Sequence, residues 1–269
     1  MLSLTLVVLV FMTAVMVAAW LFGLARRNAG WTDVFWSFGS GVALAGAALL
    51  PITPHGLPTQ RQWLVAAMAA VWAIRLGGYI AGRVAGHGED PRYAKFRDDF
   101  GANYPWRMLF VVLPQAPATA VLALSVLAAA RAPGLALGLR DFAGLAILAV
   151  AVVGEAASDS QMKRFRGDPA NKGRVCDVGL WAWSRHPNYF FEWLGWLAYP
   201  VIALDPSRPG SWLTLAAPVA IYVLLTRISG VPPLEAAMLV SRGDAYRAYQ
   251  SRVSAFFPLP PKPRGPLAE

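Results

Sequence analysis

The first 25 residues, Met1 to Ala25, carry no charged side chain. A bilayer crossing needs roughly 20 mostly apolar residues in a helix, and this run exceeds that length. It is too long for the apolar core of a signal peptide and has no basic leader, so it reads as a retained first span. Similar runs recur along the chain, and 57% of its residues are hydrophobic against 14% charged. That balance excludes an ordinary soluble domain and points to an integral membrane protein. The expected fold is all-α: a polytopic bundle of about seven helices near 3–25, 32–50, 63–82, 108–130, 142–161, 188–204 and 211–229. One membrane domain is expected over 1–257, with a substrate half at 1–130 and a cofactor half at 141–257. Residues 258–269 read as a proline-rich tail, disordered or extended.

The basic residues orient this bundle. With the N-terminus outside, 18 of the 24 Lys and Arg fall on cytoplasmic segments. Only Arg61, Arg131, Arg140 and Arg208 lie outside, while Arg75 and Arg227 sit within or at the ends of spans. The positive-inside rule demands this asymmetry, which leaves the C-terminus cytoplasmic. The net charge of +9 then reflects topology and an anionic ligand. No basic tract interleaved with aromatics marks a nucleic-acid site, so no nucleic-acid partner is expected. A single cysteine, Cys176, excludes an intrachain disulfide and a Cys-rich metal site. His55, His87 and His186 are far apart in sequence, and no metal is expected.

Chemistry concentrates in Gly179 to Trp196, GLWAWSRHPNYFFEWLGW, where Arg185, His186, Asn188 and Glu192 stand at the mouth of a span. Polar groups at membrane depth are costly and commonly mark a binding or reacting site. Pro187 suits the first turn of a helix. Asn188 and Glu192 are then i and i+4 on one face, with Trp196 a turn further. The free amides of that helix start, flanked by Arg185 and Arg174, offer a place for a phosphate. An interfacial belt of Trp181, Trp183 and Tyr189 around a snorkelling Arg185 is the plainer alternative. On the preceding span Glu155 and Asp159 are also i and i+4, followed by Lys163 and Arg166. They form either a salt-bridge ladder or part of the same site. Glu89, Asp90, Arg92 and Tyr93 after the third span, and Glu235 after the seventh, complete a ring of both signs. Arginines for phosphate, carboxylates and amides for ribose or carboxamide, and tryptophans for rings suit a nucleotide cofactor. Neither the dinucleotide fingerprint nor the P-loop occurs, and no Ser–His–acid arrangement stands out.

The segment RHPNYFFEWLGW, with DSQMKRFR upstream, resembles the C-terminal domain of steroid 5α-reductases and sterol reductases. It is most similar to bacterial membrane enzymes described as steroid 5α-reductase-like, in which NAGWTDVFWSFG (Asn28 to Gly39) and EDPRY (Glu89 to Tyr93) recur. The resemblance covers roughly 25–258. It implies NADPH bound from the cytoplasmic side of a seven-helix bundle in the bacterial inner membrane. Asp159 and Arg166 would contact the adenosine–phosphate part, Arg174 a phosphate, and Asn188 and Glu192, with Trp196, the nicotinamide half. Arg185, His186 and Tyr189, in the RHPNY run, and Glu235 join the cofactor set. Glu155 stands where the steroid enzymes tend to carry asparagine. The Gln–Glu pair of the steroid enzymes is absent from the second helix, where Asp33 is the acid. Their helix-three tyrosine aligns with Trp72, and Tyr79 is one turn off any sensible alignment.

The expected function is therefore NADPH-dependent reduction of a carbon–carbon double bond in a lipid-like substrate, steroid or isoprenoid in type. Asp33, Glu89 and Tyr93 are the candidates for proton supply on their chemistry. GLWAWSRHPNY is also similar to membrane methyltransferases of the isoprenylcysteine carboxyl methyltransferase group, which use S-adenosylmethionine. Glu235 and Tyr246-x-x-Tyr249-x-x-Arg252 resemble both groups. The expected partners are the lipid-like substrate and membrane lipids.

Overall fold

The computed structural model describes residues 1–53, 56–86, 91–134 and 136–263, with the backbone alone at Pro91 and Arg92. Helix dominates the described residues, and an isolated bridge between Ser184 and Ser254 is the extended pairing found among them. The principal helices are α1 (Leu2–Arg26), α2 (Trp31–Leu49), α3 (Gln60–Gly86), α4 (Pro91–Phe100), α5 (Tyr104–Val112) and α6 (Gln115–Ala130). They continue as α7 (Leu139–Gly167), α8 (Pro187–Trp196), α9 (Ala198–Ala203), α10 (Ala216–Val223) and α11 (Val231–Arg252).

Among the described residues, five stretches are long and apolar enough to cross a membrane: Leu2–Arg26, Gln60–Gly86, Tyr93–Ala130, Leu139–Gly167 and Pro209–Arg252. They fit an integral membrane protein. The stretches expected at 32–50 and 188–204 have a different character. Helix α2 has 19 residues and carries Thr32, Asp33, Ser37 and Ser40. The segment 188–204 is divided at Leu197 into the short helices α8 and α9.

The chain divides into two compact units, Met1–Ala143 with Tyr199–Ala217, and Gly144–Ala198 with Pro218–Glu269. In the first, α1 buries one stripe, Val8, Met12, Met16, Ala19 and Gly23, and leaves Leu6, Val7, Val10 and Phe11 exposed. That is the distribution expected of a helix with lipid on one side and protein on the other. Arg27, at φ 51°, ends it: Arg27 N–H donates to Leu24 and Asn28 N–H to Gly23, a Schellman turn. Helix α2 packs along α1 and α3, and α1 along α6. A Cβ on Gly41 would lie 2.2 Å from that of Ala73, so the α2–α3 approach depends on glycine there.

Polar side chains tie the unit together. Thr59 and Gln62 cap α3 reciprocally, each side chain accepting from the other's backbone N–H. Gln62 also donates to the carbonyls of Ala48 and Leu50. Thr119 on α6 accepts from the Trp36 indole and is 2.9 Å from the Ser40 hydroxyl. Arg61 forks onto Asp141 at 2.7 and 2.9 Å and donates to the carbonyls of Ala132, Pro133, Gly134 and Ala136. This ion pair is buried, and Asp141 also accepts from Gly138 N–H to cap the first turn of α7. Arg61, expected in the outward segment before the third span, lies in the first turn of α3 and holds the separate loop between α6 and α7.

In the second unit, the Phe191 ring of α8 occupies the space that a Cβ on Gly154 of α7 would need. A π-helical turn, Leu224–Ile228, joins α10 to α11, and Gly243 at φ 52° breaks α11. Tyr246, Tyr249 and Val253 pack with Val175, Met238 and Leu239.

Candidate functional site

The second unit contains all eleven cofactor candidates, Glu155, Asp159, Arg166, Arg174, Arg185, His186, Asn188, Tyr189, Glu192, Trp196 and Glu235. Its geometry begins at α7, where Glu155 and Asp159 share a face and are each 7% exposed. Two buried carboxylates need hydrogen-bond donors. The Asn188 amide, in the first turn of α8, is one such group, 3.5 Å from Asp159 Oδ1. That distance is at the outer limit of a hydrogen bond. Further along α8, Glu192 accepts from the Trp196 indole at 3.0 Å, and Trp196 is 2% exposed. Asn188, Glu192 and Trp196 therefore follow one another along one side of α8, as their spacing requires.

The start of α8 is held by its own sequence. Pro187 fills the first helical position, and the Ser184 hydroxyl accepts from His186 N–H at 3.1 Å. The preceding turn, Gly179–Ala182, is fastened to α7. Gln161 accepts from Leu180 N–H at 2.9 Å, and the Trp181 indole donates to the Ser158 carbonyl at 3.0 Å. Gly179 has φ 59°, and a Cβ there would lie 2.6 Å from Gln161 Oε1. From α11, the Tyr249 hydroxyl donates to the Trp181 carbonyl. The C-terminal segment completes the clasp: Arg185 N–H donates to Ser254, the Ser184 hydroxyl to the Phe256 carbonyl, and Leu259 N–H to Trp183. Phe256 and Phe257 pack edge-on against Phe190 and Trp193. Gln161, Ser158, Tyr249, Ser254 and Phe256 were not among the sequence candidates. Gln161 lies in the DSQMKRFR segment and Tyr249 in the Tyr246-x-x-Tyr249-x-x-Arg252 motif, but neither pattern says what these side chains fasten.

Arg185 and Glu235 are matched to each other. Arg185 Nε donates to Glu235 Oε1 at 2.6 Å, while its Nη1 donates to the carbonyls of Gln250 and Val253. Glu235 also receives Gln250 at 2.8 Å and stands 3.2 Å from His186 Nε2. The His186 ring stacks on Tyr189 at 5.5 Å and 9°. This group anchors the RHP turn to α11. Arg166 and Arg174 are instead exposed. The Arg174 carbonyl accepts from Arg242, and the positive charge of Arg166 acts on Cys176. Burial nevertheless pushes the Cys176 thiol above its ordinary value.

Of the proton-donor candidates, Asp33 and Tyr93 belong to the first unit. Tyr93, buried at the start of α4, donates to Asp33 Oδ1 at 2.9 Å, so the NAGWTDVFW and EDPRY elements meet. Glu89 and Asp90 lie outside the described residues. Trp72 is buried edge-on to Trp36 at 5.9 Å, and exposed Tyr79 lies beneath the Arg75 guanidinium at 5.6 Å.

These features define a helical, membrane-type protein with buried acids beside a proline-started helix. The chain belongs to the family described as "Protein of unknown function (DUF1295)", which it matches over residues 19–253. It is similar to the "Uncharacterized protein C594.04c" of Schizosaccharomyces pombe, with 33% identity over 96 residues. That alignment covers 35% of this chain and 27% of the yeast protein, so the chain spans about a quarter of that relative's length. No solved structure matches the chain.

Proposed function

We propose that the chain is a membrane-embedded, NADPH-dependent reductase of a carbon–carbon double bond in a lipid-like substrate. The observation that carries this reading is the pairing of buried Asp159 with Asn188, next to Glu192 and Trp196 on α8. The resemblance of RHPNYFFEWLGW to steroid 5α-reductases supports it, as does the DUF1295 family's relation to steroid 5α-reductase-like proteins. Seven crossings, an outside N-terminus and a cytoplasmic cofactor site in a bacterial inner membrane belong to the same proposal.

The donor set fits such a cofactor. Carboxylates accept from ribose hydroxyls and a carboxamide NH2, while exposed guanidiniums fork onto phosphate. Asp159 and Glu155 would accept from the ribose side, and Arg166 and Arg174 would hold phosphates. Asn188 and Glu192 would orient the carboxamide, with Tyr189 beside them. Arg185, His186 and Glu235 contribute by fixing the start of α8. When bound, NADPH supplies a hydride to one carbon of the double bond. The other carbon takes a proton, for which Tyr93, hydrogen-bonded to Asp33, has suitable chemistry.

Methyl transfer from S-adenosylmethionine is the second reading. It needs no phosphate-binding arginine, and Arg185, the arginine next to α8, is engaged by Glu235. Titrating NADPH and S-adenosylmethionine into the detergent-purified protein, followed by tryptophan quenching, separates the two. Saturable NADPH binding that weakens in Arg166→Ala and Asp159→Asn is expected. Binding of S-adenosylmethionine alone would replace the reductase reading with the second one.

A further inference from the structure

We infer that the corner formed by the end of α1 and the α4–α5 turn is a docking surface for the headgroup of an anionic phospholipid. The inference needs only a bilayer around the helices and is independent of the reductase proposal. Its centre is a tryptophan pair: Trp20 of α1 and Trp106 of α5 have ring centroids 6.1 Å apart. The Trp20 indole donates to the Pro105 carbonyl at 2.8 Å, which locks the start of α5 to α1. Trp106 is 66% exposed, and Phe110, one turn along the same face, is 72% exposed. Large aromatics exposed at the end of an apolar helix belong at the boundary between acyl chains and headgroups.

The cations around this pair are arranged alike. The Arg107 guanidinium lies over Phe100 at 5.4 Å, that of Arg26 over Phe22 at 5.4 Å, and that of Arg97 over Tyr104 at 4.4 Å. An aromatic ring occupies one flat side of each guanidinium and holds it in place. Such stacking covers a flat face and spares the in-plane N–H edge of Arg26 and Arg107, the fork that matches phosphate, whereas Arg97 also turns Nη2 to the Tyr104 hydroxyl at 3.5 Å. Arg26, Arg27 and Arg107 are exposed. Over residues 26–27 and 93–107 the sequence carries five basic residues, Lys95 and Arg97 included, against Asp98 and Asp99, while Asp33 of α2 meets α4 through Tyr93. Exposed aromatics beside a surplus of held arginines complement an acyl chain carrying a negative headgroup. A zwitterionic headgroup offers no matching net charge.

The test uses the purified full chain in a neutral detergent, titrated with phosphatidylglycerol or phosphatidylcholine while thermal unfolding is followed. Phosphatidylglycerol is expected to raise the midpoint at lower concentration, and 0.5 M salt should narrow the difference, because exposed ion pairs are screened. Arg26→Gln with Arg107→Gln should weaken the half-saturating phosphatidylglycerol concentration by about 25-fold, near 1 kcal/mol for each surface arginine. Arg247→Gln, at an exposed arginine on α11, should leave it unchanged. Equal stabilisation by both lipids would overturn the inference, as would a preference that survives the double substitution. If the double variant does not fold, the salt dependence decides: a preference indifferent to salt also overturns it. Inorganic phosphate at millimolar concentration should not compete, since the aromatic half of the surface recognises the acyl chain.

Discussion

Tyr93 donates a 2.9 Å hydrogen bond to Asp33, joining the first turn of α2 to the start of α4 across 60 residues of sequence. A buried phenol bonded to a carboxylate is both a structural tie and a proton store. Tyr93→Phe removes the donor and should cost about 1.5–3 kcal/mol of stability, the usual worth of a hydrogen bond to a charged group. If Tyr93 also supplies the proton in the proposed reaction, the same variant should lower turnover by roughly 10²- to 10⁴-fold. Its NADPH affinity should stay within about twofold, because only proton transfer is removed. Stopped-flow turnover beside a binding titration checks both. Turnover that falls no further than stability would leave Tyr93 a structural tie alone.

Glu192 and Trp196 offer a cleaner separation of structure from binding. The Trp196 indole is buried and its donor is answered by Glu192. Glu192→Ala leaves that N–H without its acceptor and should cost about 1–3 kcal/mol. Glu192→Gln retains an acceptor oxygen, so the melting temperature should stay near that of the wild type. A carboxylate that orients a carboxamide forms a charge-assisted bond, and Glu192→Gln should then weaken NADPH binding by about tenfold. Unchanged affinity in Glu192→Gln would remove Glu192 from the cofactor site.

For Arg185 and Glu235 the expectation is different, because the pair is inward-facing and satisfied within the protein. Truncating one member of a buried pair leaves the other uncompensated, typically at about 3–5 kcal/mol. Glu235→Ala should therefore unfold at markedly lower temperature with or without NADPH. Arg185→Lys should recover little, since a lysine cannot reproduce the fork to Glu235 and two carbonyls. A variant that is stable but fails to bind NADPH would make Glu235 a ligand contact instead of an anchor.

Local patterns in the sequence carry much of this architecture. The charge-free opening run becomes α1, and Pro187 starts α8 with Asn188, Glu192 and Trp196 in succession, as i, i+4 spacing requires. Glu155 and Asp159 likewise share a face of α7 and are buried together. Pairings across long separations were out of reach. Arg185 meets Glu235 50 residues away, and Arg61 meets Asp141 80 residues away. Helical periodicity says which face of a helix is buried, not which other helix covers it. Charged residues read from composition as ligand contacts or loop positions can thus be each other's partners. The break at Leu197 falls within an apolar run that reads as one span, yet it has a local cause in Pro200, which has no N–H to donate to the Trp196 carbonyl.

The Arg61–Asp141 pair fastens the start of α3 to the start of α7 and to the loop between α6 and α7. Asp141→Ala removes the fork and the capping bond to Gly138, so a loss of about 3–5 kcal/mol is expected. Replacing both residues by leucine should cost less, because no charge remains buried, although the loop carbonyls lose their donors. Unfolding in detergent, monitored by tryptophan emission, ranks the three proteins. A double variant less stable than Asp141→Ala would show that the loop carbonyls, rather than the ion pair, dominate.

Cys176 gives a prediction in pH. It is buried in the segment between α7 and α8, and burial, followed by the nearby Asp177 charge, holds its thiol above the ordinary value of 9.0. Opposing effects from the Val178 N–H and Arg166 are smaller than that burial. The native state therefore keeps its proton at pH values where the unfolded chain releases it. Stability from this source is complete below pH 9.0 and declines as pH rises through the raised native value. Other groups titrate in the same range, so the quantity to measure is the difference between wild type and Cys176→Ala. Wild type should lose stability more steeply above pH 9.0, and maleimide should label native Cys176 slowly and the unfolded chain rapidly. Parallel stability curves with rapid native labelling would mean that the thiol is open to water.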